Sequence, residues 1–94
     1  MITAIVLIQA EGSRIPEVAE ALAELDGVSE VYSVTGGVDL IAVVRVRRHE
    51  ELADVIADRI GKVSGVRHSD THIAFRTYSQ HDLEAAFALG LEDV

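Results

Sequence analysis

The first ten positions set the pattern. Ile2 to Ala10, ITAIVLIQA, is apolar almost throughout. Ile2, Ala4, Val6 and Ile8 fall on one face of a strand, and Ile5 and Leu7 fall on the other. A strand greasy on both faces is covered on both faces, which places it centrally in a sheet. Glu11-Gly12-Ser13 ends the run and the period changes. Ile15, Val18, Ala19, Leu22 and Leu25 recur at helical spacing, with Glu17, Glu20 and Glu24 off that stripe. The spacing predicts an amphipathic helix opened by Pro16 and closed at Asp26-Gly27.

From Val28 to Arg47 the chain reads VSEVYSVTGGVDLIAVVRVR. Two β-branched runs flank Thr35-Gly36-Gly37-Val38-Asp39, which predicts a hairpin with both glycines at its tip, accepting positive φ. Its second strand, Leu40 to Val46, is again apolar on both sides: Leu40, Ala42, Val44 and Val46 against Ile41 and Val43. Glu50-Glu51 opens a second helix, where negative charge is favoured, with Leu52, Val55, Ile56, Ile60 and Val63 as its stripe. Lys62 and Gly65 mark its end. Val66 to Ser79 predicts the last long strand, and Asp82 to Leu89 a short tail helix, before a frayed acidic end.

Strand, helix, strand, strand, helix, strand is the split βαβ arrangement. The expected fold is α+β: a ferredoxin-like βαββαβ antiparallel sheet with two helices on one face, plus the short C-terminal helix. The other sheet face would then expose Ile5, Leu7, Ile41 and Val43 or their alternates. A contiguous patch of that kind is unusual in a soluble monomer. Covering it favours association at about 25 cal/mol per Å² of apolar surface. A symmetric dimer packed sheet to sheet, an α/β sandwich or barrel, is expected, with further assembly possible.

Composition narrows the function. Ninety-four residues, residues 1–94, make a single domain. Eight basic against sixteen acidic side chains leave a formal charge of −8, which repels phosphate backbones. Direct nucleic-acid binding is not expected. The chain has no cysteine, so disulfides, thiolate metal sites and cysteine nucleophiles are absent. No apolar run is long enough for a bilayer and no secretory signal opens the chain, so a cytoplasmic protein without membrane contact is expected.

Candidate chemistry is sparse. His68, Asp70 and His72 alternate on one strand face, but the two histidines lie about 13 Å apart at about 3.3 Å per residue. That is too far to share one ion, and a solvated face is the commoner arrangement. There is no Gly-x-Ser-x-Gly elbow and no phosphate loop. No catalytic residue, metal ligand or cofactor is assigned, and nothing demands an enzyme. Asp39 remains, just past the Gly-rich turn. A loop carboxylate there either caps the strand entrance or, with backbone groups freed by the glycines, binds a small zwitterion.

The segment Val31-Tyr32-Ser33-Val34-Thr35-Gly36-Gly37-Val38-Asp39-Leu40, followed by the VRHSDTHIAFRTY strand, resembles the effector-binding (RAM) domain of the Lrp/AsnC regulators. The most specific part is Gly-x-x-Asp after Val-Thr, here Gly36 to Asp39. Gly37 and Val38 stand where the family commonly has a bulkier residue and an aromatic. The resemblance implies a non-enzymatic, amino-acid-sensing and oligomerising module, whose sheet-to-sheet dimers assemble further, often to octamers. It implies effector binding between dimers near the turn. The backbone of Thr35, Gly36 and Gly37 would contact ligand polar groups, and Asp39 would meet the α-ammonium. Ser69 and Thr71 would contribute hydroxyls from a neighbouring dimer. With Met1 opening the first strand, a stand-alone member without a helix-turn-helix is expected. It would modulate transcription through a partner such as a full-length Lrp/AsnC regulator. Competing readings are a small dimeric α/β-barrel enzyme of monooxygenase or isomerase type, an ACT-like sensor, and a ligand-free oligomerisation partner. The enzyme would need a deep pocket between helices and sheet. Only 4% aromatic content argues that aliphatic side chains fill that space.

Overall fold

A computed structural model describes residues 1–80. In chain order the elements are β1 (Ile2–Ala10), α1 (Ile15–Ala23), β2 (Val28–Ser33), β3 (Leu40–Val46), α2 (His49–Ala53) and β4 (Val66–Ile73). The four strands form one antiparallel sheet in the order β2-β3-β1-β4. The two strands apolar on both faces, β1 and β3, are the central pair, with Ile2 opposite Val46 and Ile8 opposite Leu40. This is the ferredoxin-like α+β arrangement.

Alternation decides the core. Ala4, Val6, Ile8, Leu40, Ala42 and Val44 are fully buried, packed with Val18 and Leu22 of the first helix and Leu52, Val55 and Ile60 of the second helical segment. Burying each of the larger of these side chains stabilises the fold by roughly 1.5–3 kcal/mol. The intervening residues point to the opposite face. There Tyr32, Ile41, Leu7 and Asp70 form one cross-strand row, and Glu30, Val43, Ile5 and His72 form the next. Ile5 is 38% exposed and Tyr32 50%.

Two elements differ from expectation. The second helix is not one regular helix. After α2 the chain passes through π-helical turns over Asp54–Arg59 and a 3₁₀ turn over Ile60–Lys62. The apolar spacing explains this. Val55 and Ile60 lie five residues apart, about 140° out of phase in an α-helix at about 100° per residue. The wider turn, in which the Ile60 N–H reaches the carbonyls of both Ile56 and Val55, keeps both side chains in the core. The last strand is also shorter, ending at Ile73 rather than Ser79. Ile73 pairs with Ala4, and the Ala74 N–H still reaches the Thr3 carbonyl at 2.8 Å. Beyond that β1 has run out, so Phe75 and Tyr78 have no strand to pair with among the described residues and are 98% and 84% exposed. The tail helix expected over Asp82 to Leu89 lies outside the described residues.

The two helical segments meet through glycines. A Cβ on Gly27, after α1, would fall 2.5 Å from Val55 Cγ2. One on Gly65, after the second segment, would fall 2.6 Å from Val18 Cγ2. Each half of the chain thus packs a valine onto the other half's glycine.

Candidate functional site

The hairpin link is held by backbone on one side and by a carboxylate on the other. Where β2 gives way to β3, the Val34 N–H donates to the Asp39 carbonyl at 3.0 Å and closes the neck. The Asp39 N–H donates to the Ile8 carbonyl at 3.0 Å, extending the β1–β3 ladder. The next N–H of β1 that faces this strand, that of Ala10, has no ladder carbonyl opposite and donates to Asp39 Oδ2 at 2.9 Å instead. Asp39 therefore finishes the sheet with its side chain. Its second oxygen, Oδ1, accepts no hydrogen bond among the described residues. The two readings of Asp39, cap and ligand contact, are thus compatible, because each uses a different oxygen.

The glycine pair divides its work. Gly36 takes φ +117°, the left-handed value the turn requires, whereas Gly37 does not take a positive φ. The Gly37 carbonyl accepts from Gln9 Nε2 at 3.3 Å, tying the turn to β1. Among the described residues, the N–H groups of Thr35, Gly36 and Gly37 find no backbone acceptor, and all three residues are exposed.

Beside the turn lies an open cleft of ≈ 450 Å³ lined by Gln9, Ala10, Gly37, Asp39, Arg67 and His68. The structure therefore brings Gly37 and Asp39 together in one cleft, with Thr35 and Gly36 on the exposed tip beside it. Ser69 and Thr71 are not among its lining residues. They sit opposite Ile8 and Val6 on β4, hence on the helix-covered side of the sheet, half-buried. Within one chain their hydroxyls stand apart from Asp39.

Three lining residues carried no ligand reading in the sequence, Gln9, Ala10 and Arg67, and His68 was weighed there only as a metal ligand. The available signal was Arg67-His68-Ser69-Asp70, a polar run that breaks strand alternation at the point where β4 begins. At that point the pairing with β1 carries a β-bulge. Gln9 pairs with His68 and Ala10 with Val66, which leaves Arg67 as the extra residue.

Elsewhere the charged groups pair locally. On the uncovered sheet face, Glu30 accepts hydrogen bonds from the Tyr32 hydroxyl and from Arg45 Nη1, the latter at 3.1 Å. The Tyr32 hydroxyl, and then Arg45, hold the Glu30 carboxyl below its ordinary pKa, and Glu30 raises that of Tyr32. His72 Nε2 lies 3.3 Å from Asp70 Oδ2. Among the described residues no group of three or more His, Asp or Glu is placed to hold a metal ion. Nor is any described helix long and apolar enough to cross a membrane. The space between helices and sheet, where a barrel enzyme would need its pocket, is packed with Val, Leu and Ile.

Comparison with known proteins bears on the fold and the family. The family model described as Lrp/AsnC ligand binding domain matches residues 3–83. The HTH-type transcriptional regulator FL11 of Pyrococcus horikoshii is 32% identical over 77 residues, covering 82% of this chain and 50% of that protein. The chain spans about half the length of the curated relatives it matches. The crystal structure of TTHA0845 from Thermus thermophilus is 50% identical with a TM-score of 0.79, covering 85% of this chain and 100% of that one. A feast or famine regulatory protein from M. tuberculosis, complexed with L-methionine, is 28% identical with a TM-score of 0.69, covering 85% of this chain and 54% of that one.

Proposed function

The chain belongs to the Lrp/AsnC ligand binding domain family, and from that premise we propose that it is a non-enzymatic amino-acid sensor that couples ligand binding to its own assembly. The observation that carries this reading is Asp39. One carboxylate oxygen is spent on the Ala10 N–H, while the other is free at the lip of a cleft beside unpaired turn N–H groups. A zwitterion needs an acceptor for its ammonium and donors for its carboxylate, and this corner offers both. Thr35, Gly36 and Gly37 supply backbone, Asp39 meets the ammonium, and Ser69 and Thr71 contribute from a neighbouring dimer.

Assembly is the second half of the proposal. The patch of Ile5, Leu7, Ile41 and Val43 is covered by the same patch of a second copy, and dimers associate further around the hairpin turns. A ligand held between dimers shifts the assembly by its differential affinity for the two states. The relatives named as HTH-type transcriptional regulators, about twice this length, support a role in transcription exerted through a DNA-binding partner. An acidic chain of this size and charge, −8, does not itself contact DNA in this reading.

Light scattering and thermal melting with each common L-amino acid, L-methionine first, test the reading. An amino acid that changes assembly mass or Tm in wild type but not in Asp39→Asn supports it. Asparagine keeps an oxygen for the Ala10 N–H and loses the charge, so the sheet closure survives the substitution. Indifference of the wild type to every amino acid overturns the sensor and favours a ligand-free assembly partner.

A further inference from the structure

We propose that Arg67 is the carboxylate anchor of the Asp39 cleft, so that the ligand is an α-amino acid with its carboxylate free, not an amine, amide or ester. This rests on the sensing role proposed above and adds the residue that reads the second charge. Arg67 is the unpaired residue of the β4 bulge, between Val66, which pairs with Ala10, and His68, which pairs with Gln9. A bulge leaves one residue outside the ladder and re-aims its side chain. Here Arg67 lines the same cleft as Asp39.

Arg14, Arg47 and Arg76, like Arg67, make no side-chain hydrogen bond or ion pair among the described residues, but Arg67 is the arginine that lines the Asp39 cleft. Three others show what an occupied guanidinium looks like in this molecule. Arg45 holds Glu30 at 3.1 Å, Arg48 lies 3.8 Å from Glu51, and Arg59 donates to the Asp26 carbonyl at 2.8 Å. Arg67 makes no hydrogen bond or ion pair among the described residues, in a chain where acidic groups outnumber basic ones sixteen to eight. One cleft therefore carries one unspent carboxylate oxygen and one unspent guanidinium.

That pairing selects a zwitterion. The ammonium of an α-amino acid goes to Asp39 Oδ1, and its planar carboxylate meets the fork of donors on Arg67, a geometry lysine does not reproduce. The free turn N–H groups add donors to the same anion. A simple amine would satisfy Asp39 but face Arg67 uncompensated. A carboxamide would leave Arg67 without its counter-charge. Both poles come from a single chain, so first contact with ligand does not wait for a neighbouring dimer.

Isothermal titration of the assembled wild-type protein, Arg67→Gln and Arg67→Lys provides the test. Probes are L-methionine and then each common L-amino acid, every binder being paired with its carboxamide. The expected result is wild-type binding of the free acid at least about tenfold tighter than the amide. Arg67→Gln should weaken the free acid by a similar factor and leave the amide unchanged, while Arg67→Lys restores part of the difference. Because the Arg67 side chain is exposed and unpaired, Arg67→Gln should keep the wild-type Tm without ligand. If Arg67→Gln keeps the full preference for the free acid, or loses acid and amide alike, the assignment of Arg67 is overturned while the sensor stands. If the wild type binds no amino acid, the sensing role itself falls and this assignment falls with it.

Discussion

On one face of β1 and β3, Ala4, Val6, Ile8, Leu40, Ala42 and Val44 lie beneath the helices. One residue along the same strands, Ile5, Leu7, Ile41 and Val43 keep contact with solvent. The side chains are of the same kind, so hydrophobicity did not decide which set was covered. The supply of helix did. Two helical segments hold enough apolar stripe to cover one face of a four-stranded sheet, and their residues Val18, Leu22, Leu52, Val55 and Ile60 all go there. The second face is aliphatic at its centre, with Glu30 on edge strand β2, paired with Arg45 near the end of β3, on one side and Asp70 and His72 on edge strand β4 on the other. An apolar centre inside a charged rim is the composition of a surface made to meet another molecule.

The comparison breaks most sharply on the covered side. Ile8→Ala should cost about 2–5 kcal/mol in urea unfolding, because a fully buried isoleucine leaves a cavity that the sheet cannot close. Gly65→Ala should cost about 1–3 kcal/mol in the same measurement, since φ is +97° and the new methyl meets Val18. A Gly65→Ala/Val18→Ala double variant should lose less than the sum of the two single losses, because the shortened side chain relieves the clash while its own lost burial and the backbone strain remain.

On the open side the expected stability effects are small and the assembly effects large. Ile5→Lys should change the unfolding free energy of the isolated domain by no more than about 0.5–1 kcal/mol, because position 5 is already partly in water. Light scattering should nevertheless show a smaller particle, with far-ultraviolet circular dichroism unchanged. A particle of unaltered mass would mean that this face is not the one that associates.

The smallest effect is electrostatic and belongs to the rim. Tyr32 and Arg45 favour the ionised form of Glu30, so their support is complete above about pH 5 and fades as pH falls through the lowered pKa of the folded state. The protonated form of Tyr32 is favoured in the fold, so its share persists below about pH 10 and is lost as pH rises through the raised value. Stability should therefore be flat in this contribution across neutral pH. Glu30→Gln should remove the acid-side slope with little change at pH 7, since these groups are exposed.

Much of this contrast is legible in the letters of the chain. The double alternation of ITAIVLIQA and LIAVVRV marks β1 and β3 as central and separates Ile5, Leu7, Ile41 and Val43 from the alternate set, while which set lies under the helices is decided by the packed structure. The Gly-x-x-Asp turn marks the corner where the cleft lies. What is not legible depends on register. That β4 stops at Ile73 follows from where its partner β1 begins, at the other end of the chain and outside any local window. That Arg67 is a bulge follows from pairing Gln9 with His68 and Ala10 with Val66, which no period along one strand reveals. The π-helical turns are intermediate. The five-residue gap from Val55 to Ile60 is visible in the sequence, but whether the chain widens its turn or gives up a core residue is settled by the sheet beneath it.

The reciprocal contacts of Gly27 with Val55 and Gly65 with Val18 bear on how the molecule comes apart. Each βαβ half lends the valine that closes the end of the other's helix, so neither half has a finished interior while its counterpart is open. Loss of one half removes packing from the other at once, and partial unfolding gains nothing over complete unfolding. The domain should melt as one unit, with calorimetric and van't Hoff enthalpies in agreement and the slowest amides of both halves exchanging at the same free energy.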